Sequence, residues 1–227
     1  MKLKLLTINY LFGFALLAGM SLPLTTSAAD NDTSILVLGD SLSAAYGMES
    51  GQGWVALLEQ RLAQCAQDRA GYRYPVINAS VSGDTTRGAR ARLADILARQ
   101  TPAITIVELG GNDGLRGIAP AEIQRNLGAI IEQLQAVGSD VILVPMQIPP
   151  NYGPVFTEKF AAVYTDLAKQ YDIALSRFIL DGIALDENLM QDDGIHPTAA
   201  AQPMMLEHIW SSLQPLLEQQ IQQAAKK

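Results

Sequence analysis

Short apolar runs recur along the chain, and longer amphipathic stretches separate them. The runs are SILVLGD (34–40), YPVINASV (74–81), AITIVELGG (103–111) and DVILVPM (140–146), with DIALS (172–176) as a short fifth. Between and after them lie WVALLEQRLAQC (54–65), TTRGARARLADILARQ (85–100), AEIQRNLGAIIEQLQAVG (121–138) and VFTEKFAAVYTDLAKQY (155–171), all with helical spacing. Gly138 ends the third of these helices. A last helix is predicted over 199–223, with Pro203 near its start and Pro215 as a kink or break. Continuous apolar strands must be buried on both faces, so the sheet is expected to be parallel and covered by helices. Strand–helix alternation then predicts a doubly wound α/β/α sandwich. Such folds place their sites outside the carboxyl ends of the strands, so useful side chains should follow the strands directly.

The first 29 residues stand apart from this pattern. Lys2 and Lys4 precede an apolar stretch from Leu5 to Met20, and Ser27-Ala28-Ala29 offers the small residues of a cleavage site. This reads as a cleaved secretory signal peptide, so the working pool is expected in the periplasm or medium. The apolar stretch is short and interrupted by Asn9 and Tyr10, and no cysteine lies near the cleavage site, so no stable membrane or lipid anchor is expected. Residues 30–227 then form one domain, expected to be a monomer. Removing two lysines and no acid takes the net charge from −7 to −9. With no basic cluster, nucleic acid is not an expected partner. A single cysteine, Cys65, allows no internal disulfide and reads as a small buried hydrophobe. There is no linker, internal repeat or low-complexity segment.

Polar residues do follow the strands. Gly39-Asp40-Ser41-Leu42-Ser43 follows the first, Ser82-Gly83-Asp84-Thr85 the second, and Gly110-Gly111-Asn112-Asp113-Gly114 the third. Asp192-Asp193-Gly194-Ile195-His196-Pro197 precedes the last helix. The chemistry that needs these types together is acyl transfer. A serine hydroxyl is a weak nucleophile until a base takes its proton, and histidine titrates near neutrality. A carboxylate must orient that histidine, and Asp193-x-x-His196 supplies both from one turn, with Asp192 as the competing acid. The developing oxyanion needs preset donors, each worth about 2.7–4 kcal/mol. The Gly83 N–H, the Asn112 amide and the Ser41 N–H are the candidates. Each segment also has an ordinary reading as a turn, Asn112 as a left-handed residue among them. Their shared location at strand ends is what favours the site. The other histidine, His208, sits among Met205, Ile209 and Trp210 and reads as structural. No Gly-x-Ser-x-Gly elbow surrounds Ser41, which argues against the usual α/β-hydrolase arrangement. Asp192, Asp193 and His196 lack a further histidine or carboxylate cluster, so no metal is expected. The spacing in GGNDG fits neither a dinucleotide nor a P-loop fingerprint.

The blocks GDSLS (39–43), SGDTT (82–86), GGNDG (110–114) and DGIHP (193–197) resemble those of the GDSL or SGNH hydrolase family. The longer strings ELGGNDGLRG (108–117), PPNYG (149–153) and MQDDGIHP (190–197) resemble its bacterial thioesterase I and lysophospholipase branch, which includes arylesterases. The resemblance spans about residues 34–215. It implies a five-stranded parallel sheet, with Ser41 as nucleophile, His196 as base and Asp193 as orienting acid. Gly83 and Asn112 match the family's oxyanion donors. It implies hydrolysis of acyl esters, thioesters, lysophospholipids and aryl esters without a cofactor. It also implies a mobile substrate loop from Gly114 to Pro120. An apolar acyl groove could draw on Gly114, Leu115, Met146, Ile148, Pro149 and Tyr152, or the residues after strand four could simply cover the sheet. Two alternatives stay open. One is a carbohydrate acetylesterase, which the apolar QIPPNYG segment disfavours. The other is an exported binding protein with a dead site.

Overall fold

The computed structural model describes residues 34–69 and 71–226. The expected signal peptide lies outside the described residues. Five strands form one sheet: β1 (Ile35–Gly39), β2 (Val76–Asn78), β3 (Ile104–Glu108), β4 (Asp140–Leu143) and β5 (Ala174–Leu175). Every pairing is parallel, in the order β2-β1-β3-β4-β5. The central strands β1 and β3 are fully buried along their length, which explains their unbroken apolar sequences. After β2 the chain crosses to the far side of β1 to begin β3. The topological switch therefore lies between β1 and β3, at whose carboxyl ends folds of this kind place their sites.

Among the described residues six α-helices accompany the sheet: α1 (Trp54–Asp68), α2 (Thr86–Leu97), α3 (Gly111–Leu115), α4 (Pro120–Ala136), α5 (Pro154–Tyr171) and α6 (Gln202–Ala224). α1 packs with α6, and α4 packs between α2 and α5, giving the two outer layers. Trp54, Leu58, Ile130, Phe160 and Tyr164 carry these layers onto the strands and are fully buried. Local chemistry sets the helix starts. The Gly88 N–H donates to the Thr85 hydroxyl at 3.2 Å, capping α2, and proline occupies the first turn of α4, α5 and α6.

The structure departs from the sequence reading in four places. β2 keeps three residues rather than eight, because it is an edge strand. Beyond Asn78 the chain still runs beside β1, through the Ala79 N–H to Val37 O at 2.9 Å and Val81 N–H to Gly39 O at 3.1 Å. Pro215 does not break α6, since Leu213 and Leu217 on either side of it are fully buried and hold the helix to the core. Cys65 is half-buried rather than buried. The segment after β3, read as a loop, opens as the short helix α3.

Candidate active site

The first strand ends in a turn that carries Ser41, which is 9% exposed. The last loop brings His196 to it from 155 residues away. The Ser41 hydroxyl donates to His196 Nε2 at 2.8 Å. On the other side of the ring, Nδ1–H donates to Asp193 Oδ2 at 2.6 Å. A carboxylate can only accept, so the neutral ring carries its proton on Nδ1 and leaves Nε2 free to accept. Asp193 Oδ1 accepts the backbone N–H groups of Ile195 and His196, each at 2.9 Å. The imidazole bond, then these two N–H groups, hold the Asp193 carboxyl down at about 2. Asp193, not Asp192, is the acid against the ring.

Tyr46 closes one side of the imidazole, with ring centroids 4.4 Å apart. Gln191 fastens this loop to the Ser41 turn, since its amide donates to Tyr46 O at 2.9 Å and Pro197 O at 3.0 Å. Tyr46 carried no signal in the sequence, and Gln191 appeared there only as part of the string MQDDGIHP, without a role.

The second and third strand ends supply the remaining groups. Gly83 has φ of +77°, a backbone that favours glycine. Its carbonyl accepts Arg116 Nη2 at 3.2 Å, which links the turn after β2 to the end of α3. Asn112 lies in α3, not in a left-handed turn; Gly110, at φ +110°, makes that turn instead. A Cβ at Gly110 would also strike the Tyr164 hydroxyl. The Asn112 amide donates one hydrogen to Asp40 Oδ2 at 2.9 Å, leaving its second hydrogen to serve an incoming oxygen. Asp113 faces the other way, accepting the Thr86 N–H at 2.9 Å and hydroxyl at 2.6 Å, and so ties α3 to α2.

Beneath Ser41 lies a buried polar layer that the sequence reading left without a role. Asp40 accepts the Leu42 N–H at 3.1 Å as well as the Asn112 amide. Glu108, the last residue of β3, is fully buried and accepts the Ser43 hydroxyl at 2.6 Å. An acid closing an otherwise continuous apolar strand is the signal by which it could have been found.

The six candidate substrate contacts divide. Gly114 and Met146 are buried; a Cβ at Gly114 would come within 2.8 Å of the Phe160 ring. Ile148 is half-buried against the core, and Pro149 is exposed. Leu115 and Tyr152 are partly exposed and joined, the Tyr152 hydroxyl donating to Leu115 O at 2.8 Å. His208 is buried, its Nδ1 3.1 Å from Ile179 O, as a structural residue would be. Among the described residues no group of three or more His, Cys, Asp or Glu could hold a metal ion.

A parallel sheet ordered 2-1-3-4-5, with serine, imidazole and carboxylate joined at its switch point, defines a serine hydrolase scaffold. The family model for GDSL-like lipases and acylhydrolases matches residues 37–202, and the chain belongs to that family. It is 50% identical to the esterase TesA of Pseudomonas aeruginosa over 203 residues, 89% of this chain and 98% of that one. It is 41% identical to the thioesterase 1/protease 1/lysophospholipase L1 of Escherichia coli K12, over 86% of this chain and 89% of that one. Among solved structures, the psychrotrophic esterase EstA from Pseudoalteromonas, inhibited by monoethylphosphonate, matches with a TM-score of 0.76. That match has 38% identity and covers 82% of this chain and 99% of the other.

Proposed function

We propose that this chain is an exported serine esterase acting on acyl esters and thioesters, lysophospholipids and aryl esters among them. The observation that carries the reading is the continuous bonding from Ser41 through His196 to Asp193, at 2.8 and 2.6 Å. In the proposed course, His196 Nε2 takes the Ser41 proton as Oγ attacks the acyl carbonyl carbon. The C=O pair moves onto oxygen, where the Asn112 amide and the Ser41 and Gly83 N–H groups stabilise it. Collapse expels the alcohol or thiol, which takes the proton from His196 and leaves Ser41 acylated. Water then repeats the sequence, with His196 as base, to release the acid. No cofactor enters any step.

The names of the relatives support this reading, since esterase, thioesterase and lysophospholipase all appear among them. Removal of residues 1–29 would place the enzyme in the periplasm or medium. No helix among the described residues is long and apolar enough to cross a membrane. Leu115, at the end of α3, and Tyr152, in the segment after β4, are the surfaces offered to an acyl chain.

The test is hydrolysis of p-nitrophenyl esters from acetyl to palmitoyl, with Ser41→Ala as control. Activity on medium or long chains that disappears in the variant is expected. Activity confined to acetyl would favour a carbohydrate acetylesterase. Failure of folded protein to react with a fluorophosphonate probe at Ser41 would favour a binding protein.

A further inference from the structure

Two carboxyl groups lie buried under the Ser41 turn, and the proposed course uses neither. Asp40 is 3% exposed and Glu108 is wholly buried. Asp40 ends the first strand, Glu108 ends its neighbour, and the Asp40 N–H points at Glu108 Oε2 at 3.4 Å. The Ser43 hydroxyl donates to the same oxygen at 2.6 Å, while Glu108 Oε1 has no hydrogen-bond partner among the described residues. The fit is tight. A Cβ at Gly39 would come within 2.7 Å of Ser43 Oγ and 2.8 Å of Glu108 Oε2.

We propose that Asp40 and Glu108 are positioning residues for the oxyanion site. Asp40 acts by fixing the Asn112 amide, and Glu108 by holding the Ser41 turn from beneath through Ser43 and the Asp40 N–H. The two acids divide one charge between them, because two carboxylates in one dry site cannot both ionise cheaply. Asp40 takes the charge. It has two good donors, Leu42 N–H and the Asn112 amide, and the His196 ring nearby favours its anion. Burial and the charge of Asp84 oppose it, and Arg92 neutralises Asp84 at 2.9 Å. Burial outweighs the rest and raises the Asp40 carboxyl to about 6. Glu108 faces Asp40, the Ser43 hydroxyl and, across from α5, the Tyr164 phenol, with no cation among them. Burial and the Asp40 charge push Glu108 well above its ordinary range, so it stays neutral. One hydrogen of Asn112 is then spent on an anion, and the second is aimed by that bond.

The proposal rests on the serine-esterase reading, so the experiment begins by confirming that Ser41→Ala abolishes hydrolysis of p-nitrophenyl butyrate. Then kcat and KM are measured for Asp40→Asn, Asn112→Ala and the double variant. Asp40→Asn is expected to lower kcat about tenfold or more with KM within about twofold, and to do little in the Asn112→Ala background. Equal losses in both backgrounds would overturn the action through Asn112. Glu108→Gln keeps a neutral acceptor for Ser43 and is expected to hold kcat within about threefold of wild type, where Glu108→Ala loses it. A folded Glu108→Gln protein as impaired as Glu108→Ala would overturn the neutral-acid role. If Ser41→Ala were as active as wild type, the esterase reading itself would fall and this proposal with it.

Discussion

The two halves of the site are held in opposite ways. Ser41 sits on a turn anchored by long-range bonds. Ser43 reaches Glu108 across 65 residues, Asn112 reaches Asp40 across 72, and Asn78 reaches Ser43 O across 35. The loop of His196 is ordered largely from within, Asp193 bonding to its neighbours two and three residues on, while Gln191 ties it to Tyr46 O. The first half is buried. The second is more open, with the Asp193 side chain 38% exposed. Damage to the bonds that anchor the Ser41 turn, as distinct from the Ser41 hydroxyl itself, should therefore cost stability as well as rate. Damage to the His196 ring should cost rate with little stability.

The largest effect sharpens this contrast. Ser41→Ala and His196→Ala are each expected to lower kcat/KM by more than about 10⁴-fold, while neither shifts thermal unfolding by more than about 1 °C. Asp193→Asn should come next, at about 10³–10⁴-fold in kcat, because an amide can donate to Nδ1 and favour the wrong tautomer. Asp192→Asn should stay within about twofold, as it has no bond to the ring. If Asp192→Asn lost as much as Asp193→Asn, the self-ordered loop would have to be redrawn.

The same contrast decides what could be read beforehand. Asp193-x-x-His196-Pro197 declares itself because its geometry is local: one carboxylate accepts the N–H groups two and three residues on and meets the ring of the second. The parallel sheet was legible for a similar reason, since burial on both faces writes itself along β1 and β3. The layer under Ser41 was not. Glu108 shows in the sequence only as an acid closing an apolar strand, and its partnership with Asp40 waits on the register of β1 and β3 that places Gly39 opposite it. The short helix α3 was missed because its glycines argue for a loop, whereas Asp113 pins it to Thr86 on another helix. Pro215 misled in the other direction, as burial of its neighbours outweighs a missing backbone bond.

A middle-sized effect would break the contrast if it failed. Gly39→Ala adds one methyl at the closest approach of β1 to the Ser43–Glu108 pair. It is expected to cost about 1–3 kcal/mol in denaturant unfolding and to lower kcat as well. Unchanged unfolding would mean that the Ser41 turn is not anchored from below. Gly194→Ala makes a useful comparison on the other half. Nothing lies within 4 Å of its Cβ position, so its cost comes from φ of +64° alone.

Acid separates the halves further. Asp40, raised to about 6, binds its proton more tightly in the folded protein. Its contribution to stability is greatest below about pH 4 and falls as pH rises to 6, by no more than about 3 kcal/mol. Glu108, also raised, adds to that slope and carries it to higher pH. Asp193, lowered to about 2, does the reverse: its contribution is present above about pH 4 and is lost as pH falls towards 2. Urea midpoints against pH should therefore lose part of their fall between about pH 4 and 6 in Asp40→Asn, whereas in Asp193→Asn they should be lowered above about pH 4 and converge on wild type as pH falls towards 2. A common pH window for both variants would contradict the division.

The smallest effect concerns the substrate side, where the end of α3 meets the segment after β4. The Tyr152 hydroxyl donates to Leu115 O at 2.8 Å, and this is the bond that ties the segment after β4 to the end of α3. Both residues are partly exposed, so the bond competes with water and should be worth about 1 kcal/mol or less. Tyr152→Phe is therefore expected to leave unfolding and acetyl-ester turnover nearly unchanged. If Leu115 and Tyr152 carry the acyl chain, loosening their link should raise KM about two- to fivefold for decanoyl esters and spare kcat. A uniform change across chain lengths would place the acyl chain elsewhere. Leu115→Ala then gives the sharper reading, because it removes apolar surface rather than a tether. Its KM penalty should grow with each added methylene up to the length at which the chain passes Leu115.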